Sequence, residues 1–241
     1  MIAAAVCVYA SFYLSGGREF AAIVPALVFT ALVTGFGNLV NDYFDAGIDR
    51  VSKPRRPIPS GRLTARYVWI VYLIGSAVVT VVLPFVLPPP LLILLLCWEA
   101  AVFFYAARAK RITLLGNLII AGVCSSAFLA GAMITGNYGV VLFPLGFAFV
   151  FVLGRELIKG AEDVEGDSQA GAATVAVRYG VERAVISGAM LLFLCVISAP
   201  FPALVGYFGR TYGLMAELLM VPGILVAAFL VLRYPERAVF N

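Results

Sequence analysis

Phe20-Ala-Ala-Ile-Val-Pro-Ala-Leu-Val-Phe-Thr-Ala-Leu-Val-Thr-Gly-Phe-Gly-Asn38-Leu-Val-Asn41-Asp42-Tyr-Phe-Asp45-Ala-Gly-Ile-Asp49 decides the fold class. Its first eighteen residues, Phe20 to Gly37, carry no charge, and a membrane-spanning helix needs roughly 20 mostly apolar residues. The run then ends in a cluster of amides and carboxylates. Ionised side chains are costly at a membrane, so they mark function there.

The rest of the chain repeats this pattern. Of its 241 residues, 63% are apolar and 12% charged, where a soluble domain is about a quarter charged. Continuous runs, rather than alternating ones, speak against a β-barrel. The fold class is therefore all-α: a polytopic transmembrane helical bundle in one domain, 1–241. Eight spans are read, at about 1–15, 20–45, 66–87, 90–108, 113–135, 138–162, 182–206 and 211–233. The first is short and begins abruptly, as in a chain clipped at its N-terminus. A cleaved signal peptide over 1–16 would need a basic n-region, which is missing. The polar stretches 46–65 and 163–181, rich in Pro and Gly, are read as non-helical loops.

Basic residues orient the bundle. Arg50, Lys53, Arg55, Arg56, Arg62, Arg66, Arg108, Lys110, Arg111, Arg155, Lys159, Arg178, Arg183, Arg233 and Arg237 fall on one side, against Arg18 and Arg210 on the other. Lys and Arg gather in cytoplasmic loops, so the acid-bearing side is predicted to be cytoplasmic. The net charge of +4 is explained by this topology and calls for no nucleic acid. No obligatory protein partner is evident.

The chain has no histidine, which removes His-based metal sites, Ser-His triads and His-ligated haem. Cys7, Cys97, Cys124 and Cys195 lie far apart in apolar runs, without metal-ligand spacing, and read as buried structural residues.

Helical geometry organises the first cluster. At about 100° per residue, Asn38, Asn41, Asp42, Asp45 and Asp49 fall within an arc of roughly 100°. Three carboxylates on one stripe repel each other, and a cation relieves the repulsion. Oxygen-only ligands suit Mg²⁺ or Ca²⁺. The bland alternative is a polar helix end dipping into water.

A second cluster reads Glu156-Leu-Ile-Lys159-Gly-Ala-Glu162-Asp163-Val-Glu165-Gly-Asp167. At helical spacing Glu156, Lys159, Asp163 and Asp167 share one face, within roughly 80°. Asp163 and Asp167 can present a second carboxylate pair, although Lys159 can equally neutralise an acid. Glu162 projects elsewhere, with Arg155 or Arg178 as its candidate partner. Arg50, Lys53, Arg55 and Arg56 follow the first cluster, and Arg108, Lys110 and Arg111 lie beside Tyr105. Acids, a divalent cation and guanidinium forks together suit a diphosphate. Glu99 and Glu217 interrupt apolar segments, either as functional groups or as interhelical hydrogen-bond formers.

Asn41-Asp42-Tyr-Phe-Asp45-Ala-Gly-Ile-Asp49 resembles the NDxxDxxxD motif of the UbiA superfamily of intramembrane prenyltransferases. Lys53-Pro-Arg-Arg56-Pro57-Ile-Pro-Ser-Gly61-Arg62 resembles the RPIPSG stretch of several of its branches, and Glu162-Asp163-Val-Glu165-Gly166-Asp167 its second acidic motif. The resemblance spans nearly the whole chain and is strongest to the archaeal ether-lipid branch. It implies a nine-helix bundle with a central cavity open to lipid. It also implies Mg²⁺-dependent transfer of a prenyl group, geranylgeranyl in that branch, from its diphosphate to a lipid acceptor, geranylgeranylglyceryl phosphate.

Carried over by position, the resemblance assigns Asn41, Asp45, Asp163 and Asp167 to the metal. Catalytic roles fall to Asp42, Asp49, Asp163 and Lys159. Diphosphate contacts fall to Asn38, Arg50, Arg56, Tyr105, Arg108 and Lys110. Three departures stand against the pattern. Eight runs are read instead of nine, with Asn241 about where a ninth helix would begin. No amphipathic segment precedes the first run. Gly160 stands where many members of the branch carry an acid. The alternatives are a related enzyme with an aromatic or chlorophyllide acceptor, and a cation carrier or channel. A carrier would need acids spread through the membrane depth, whereas these gather at one face.

Overall fold

In the computed structural model, which describes residues 2–233, the first apolar run is a short helix, α1 (Ile2–Leu14). The decisive second run is a 33-residue helix, α2 (Phe20–Ser52). Hydropathy ends near Asp45 but the helix does not. It continues seven residues into the stretch expected to be a loop, which places the entire first cluster on one element. Lys53, whose N–H donates to the Asp49 carbonyl at 2.9 Å, closes it, and Pro54 follows.

Next come α3 (Ala65–Val86), α4 (Pro89–Ala107), α5 (Leu115–Thr135) and α6 (Leu142–Glu162). The Thr64 hydroxyl caps α3 by accepting from the Tyr67 N–H at 3.2 Å. Pro89 opens α4 at a position where a missing N–H costs nothing. The second polar stretch holds no membrane-crossing helix but is not wholly irregular. It holds two short helices, α7 (Val164–Gln169) and α8 (Val175–Tyr179), before α9 (Val181–Ser198). The chain ends in α10 (Phe201–Leu204), α11 (Arg210–Met215), a π-helical stretch at Ala216–Met220 and α12 (Val221–Arg233). No strand occurs among the described residues.

Six of the described helical segments are long and apolar enough to cross a membrane. Two of the eight spans read from sequence fall outside that set. The first is only 13 residues long, and the eighth is divided by the π-helical stretch, in which Glu217 is exposed. Arg237 lies outside the described residues. Large apolar side chains such as Ile74, Val81, Phe85, Phe193 and Ile197 point outward, as a lipid-facing surface requires.

The chain forms two compact units. One comprises the chain to Lys110 together with Ser126–Leu145, and the other Arg111–Ser125 with the chain from Gly146 onward. In the first unit α2 packs against α1, α3 and α4. Val40, Tyr72 and Ala106 are buried there, surrounded by Phe36, Phe44, Trp69, Val102 and Tyr105. Tyr43 stacks on Trp69 at 4.6 Å between ring centroids, and Tyr72 on Phe103 at 6.3 Å. This aromatic layer fixes the rotation of α2. Phe36, Val40 and Phe44 face it, and the acid stripe lies roughly 150° around the helix.

Small residues allow close helix approach, as is usual where lipid offers no hydrophobic drive. A Cβ on Gly131 of α5 would sit 2.3 Å from the Val8 carbonyl oxygen of α1. In the second unit, Gly154 of α6 and Gly188 of α9 meet back to back. A Cβ on Gly188 would lie 2.7 Å from the Gly154 carbonyl oxygen. Ala161, Ala176, Ala184 and Val185 form a further buried cluster joining α6, α8 and α9.

Candidate active site

Each carboxylate of the first stripe is held by a cation from elsewhere in the chain. The loop after α2 doubles back: the Arg56 N–H donates to the Lys53 carbonyl at 3.0 Å and the Ser60 N–H to the Arg56 carbonyl at 2.9 Å. Pro57 and Pro59 stiffen that turn. Arg56 is thereby returned to the helix it follows. Its Nη1 donates to Asp49 Oδ2 at 2.7 Å and to Asp42 Oδ1 at 3.2 Å, spanning two helical turns. The Asp49 side chain is 6% exposed, while those of Asp42 and Arg56 are more open.

Asp45 is bound from a different element. Just beyond α4, Ala109–Arg111 forms a 3₁₀ turn whose Ala109 is buried, and Lys110 Nζ donates to Asp45 Oδ1. On the same carboxylate, Oδ2 accepts from Asn41 Nδ2 at 2.9 Å. Asn41 Oδ1 is buried and has no hydrogen-bond partner. Such an atom is costly unless something completes it.

The remaining first-unit candidates are less tightly engaged. Tyr105 is half-buried against the aromatic layer. Arg50 and Arg108 are exposed at the C-terminal ends of α2 and α4, and Asn38 is exposed in the middle of α2. A groove of about 480 Å³ between α3 and α4, lined by Trp69, Tyr72, Glu99 and Phe103 among others, is not part of this site. Phe44 packs on Trp69 and Phe103, so the groove belongs to the face of α2 opposite the acids. Within it Glu99 Oε2 accepts from the Thr80 hydroxyl at 3.4 Å, an interhelical bond from α3 to α4.

The second acidic set lies in the second unit. Here α6 ends at Glu162, where the sixth run was read to end, and Asp163 is a turn residue before α7. Helical spacing survives the turn, because the Asp163 N–H donates to the Lys159 carbonyl at 3.1 Å and the Asp167 N–H to the Asp163 carbonyl at 3.0 Å. Asp163 and Asp167 are therefore one turn apart and half-buried, with Lys159 exposed. Glu156 is buried instead of sharing their solvent-facing side, and Arg155, one of two partners expected for Glu162, donates to it at 2.9 Å. The irregular stretch before α8 is pinned by the Ala173 N–H donating to the Arg111 carbonyl at 2.8 Å and by the Thr113 hydroxyl donating to the Ala173 carbonyl. Those bonds lie just before Leu114, whose φ of +64° is rare for a bulky residue.

The donor set of the first stripe is oxygen only, which fits Mg²⁺ and excludes soft-metal chemistry. Among the described residues no three acidic side chains converge on one point. That also suits Mg²⁺, which keeps waters and uses one or two carboxylates with substrate phosphates. Asn41 Oδ1 and Asp45 are the pair best placed in this stripe to hold it. The pairing of Arg56 with two acids, and of Lys110 with a third, escaped the sequence reading. The only signal was the clustering of cations at the same ends of their helices.

A multi-pass helical protein carrying such a stripe, flanked by Lys and Arg at one end of its helices, defines a membrane-embedded enzyme for a phosphorylated ligand. The chain belongs to the UbiA prenyltransferase family, which matches residues 4–240. It is an enzyme of the transferase class. A digeranylgeranylglyceryl phosphate synthase of Hyperthermus butylicus is 36% identical over 232 residues, covering 91% of this chain and 73% of that protein. A solved structure concerned with digeranylgeranylglyceryl phosphate synthase in membranes superimposes with a TM-score of 0.74 at 27% identity, over 98% of this chain and 85% of the other. A UbiA homologue from Archaeoglobus fulgidus, solved bound to DMAPP and Mg²⁺, shares the fold with a TM-score of 0.76 at 20% identity, over 95% and 83% of the two chains.

Proposed function

We propose that this protein transfers a geranylgeranyl group from its diphosphate to the free hydroxyl of geranylgeranylglyceryl phosphate, a step of ether-lipid synthesis. One observation carries the reading: the Asn41–Asp45 pair, with its orphaned buried amide oxygen, lies beside Lys110 and Arg56 in a chain 36% identical to a synthase of that name. Both units act as one prenyltransferase domain over 1–241.

Bound Mg²⁺ would neutralise charge on the leaving diphosphate. In the first unit Asn41 and Asp45 would hold such an ion, and in the second unit Asp163 and Asp167 are the candidate ligands. Asp42 and Asp49 keep Arg56 oriented, and in the first unit Lys110, Arg56 and Arg50 offer donors to diphosphate oxygens; Lys159 is the candidate donor of the second unit. Tyr105 and Arg108 lie at the C-terminal end of α4, and Asn38 lies on the acid-bearing stripe of α2. The allylic C–O bond breaks, diphosphate departs with the bonding electrons, and the acceptor oxygen forms the new ether bond as its proton is released. Positive charge developing on the prenyl carbon is best served by apolar walls that exclude water. The excess of Lys and Arg at the acid-bearing ends of the helices supports a cytoplasmic site.

The test is an acceptor panel. Purified protein with Mg²⁺ and geranylgeranyl diphosphate is offered geranylgeranylglyceryl phosphate alongside aromatic acceptors. Mass spectrometry is expected to find the diether phosphate as the main product. A prenylated aromatic as main product would overturn the assignment.

A further inference from the structure

Both carboxylate oxygens of Asp45 are already engaged within the chain. Its Oδ2 accepts from Asn41 and its Oδ1 from Lys110, while the neighbouring Asn41 Oδ1 is buried without a partner. The side chains of Lys110 and Asp45 are only 13% and 19% exposed, so solvent screens their attraction weakly. A divalent cation arriving alone at that carboxylate would meet the Lys110 ammonium, and displacing it would leave a largely buried ammonium without an anion, an arrangement proteins avoid. A diphosphate removes that obstacle, because it supplies the anion that the displaced ammonium needs.

We infer that Lys110 is an exchanging counter-ion: it occupies the metal-facing oxygen of Asp45 until diphosphate arrives, then transfers its charge to the diphosphate, so that the cation binds only together with that ligand. The inference rests on the reading of Asp45 as a cation ligand. Lysine suits the task, being a point charge on a flexible stem with rotatable donors. Arg56 does not, since one nitrogen already bridges Asp42 and Asp49 across two turns. The exchange has a consequence for turnover. When diphosphate leaves, Lys110 returns to Asp45 and expels the cation with it, so product release and metal release are one event.

The test uses Mn²⁺ as a spectroscopic substitute, with protein-bound ion read by electron paramagnetic resonance on the purified full chain and no prenyl substrate. Wild-type protein is expected to bind Mn²⁺ at least tenfold more tightly when inorganic diphosphate is present. Lys110→Met is expected to bind Mn²⁺ at least tenfold more tightly than wild type without diphosphate, and to gain little from adding it. Equal wild-type affinity with and without diphosphate overturns the exchange, and that comparison needs no variant. Unchanged or weaker Mn²⁺ binding by Lys110→Met overturns it as well. Asp45→Asn separates the two levels of the argument. Mn²⁺ binding that survives Asp45→Asn removes Asp45 from the cation site altogether, whereas loss of binding there with no Lys110 effect defeats only the exchange.

Discussion

Lys110 and Asp45, 65 residues apart in sequence, form an ion pair that joins the turn after α4 to the middle of the acid stripe on α2. The pair is mostly shielded from solvent. It ties the turn after one helix to the acid stripe of another, so a residue outside the stripe balances the charge of its middle carboxylate.

Arg56 plays the corresponding part for Asp42 and Asp49. Arg56→Ala leaves the buried Asp49 carboxylate without its cation and is expected to cost about 1–3 kcal/mol of stability. The same variant is expected to raise KM for the prenyl diphosphate more than KM for the acceptor. Thermal unfolding in detergent and steady-state kinetics check the two halves, and equal effects on both KM values would count against the placement of Arg56 at the diphosphate.

Helix packing supplies a pair of variants on α5. Gly131→Ala places a methyl group 2.0 Å from Ser11 Oγ and against the α1 backbone, so overpacking of about 1–3 kcal/mol or more is expected. Gly122→Ala on the same helix meets nothing within 4 Å and replaces a poor helix former, so it is expected to be neutral or to stabilise by up to about 1 kcal/mol. Unfolding curves for the two proteins should therefore move apart.

Metal removal should stop the chemistry without unfolding the protein. Chelation is expected to lower turnover by about 100-fold or more, and added Mg²⁺ to restore it. The helices themselves are held by apolar and small-residue packing, so circular dichroism should hardly change on chelation.

Much of the first site was legible because one helix carries it. Asn41, Asp45 and Asp49 recur at intervals of four, and a single regular element converts that spacing into a stripe without any knowledge of tertiary structure. The lower boundary of α2 was misplaced because hydropathy marks where a helix leaves the apolar phase, and helical hydrogen bonding continues past that point to Ser52. α7 and α8 went unseen for a related reason: with 6 and 5 residues they are too short to show periodicity. Their position depends on Ala173 pairing with the segment around Thr113, some 60 residues away. Lys110–Asp45 and Arg56–Asp42 are likewise long-range or loop-mediated. Cation clustering announced that these residues share a region, but only the packing of α4 on α2 and the reversal at Pro57 select the partners.

The most direct test of the account compares Mg²⁺-dependent prenyl transfer by wild-type protein with transfer by Asp45→Ala and Asp163→Ala, each normalised to protein in the membrane. Both variants are expected to insert normally and to lose turnover by about 100-fold or more, since each removes a carboxylate proposed to hold the cation against the leaving diphosphate. Near-normal transfer by both would contradict the assignment of the two acidic sets to the reaction.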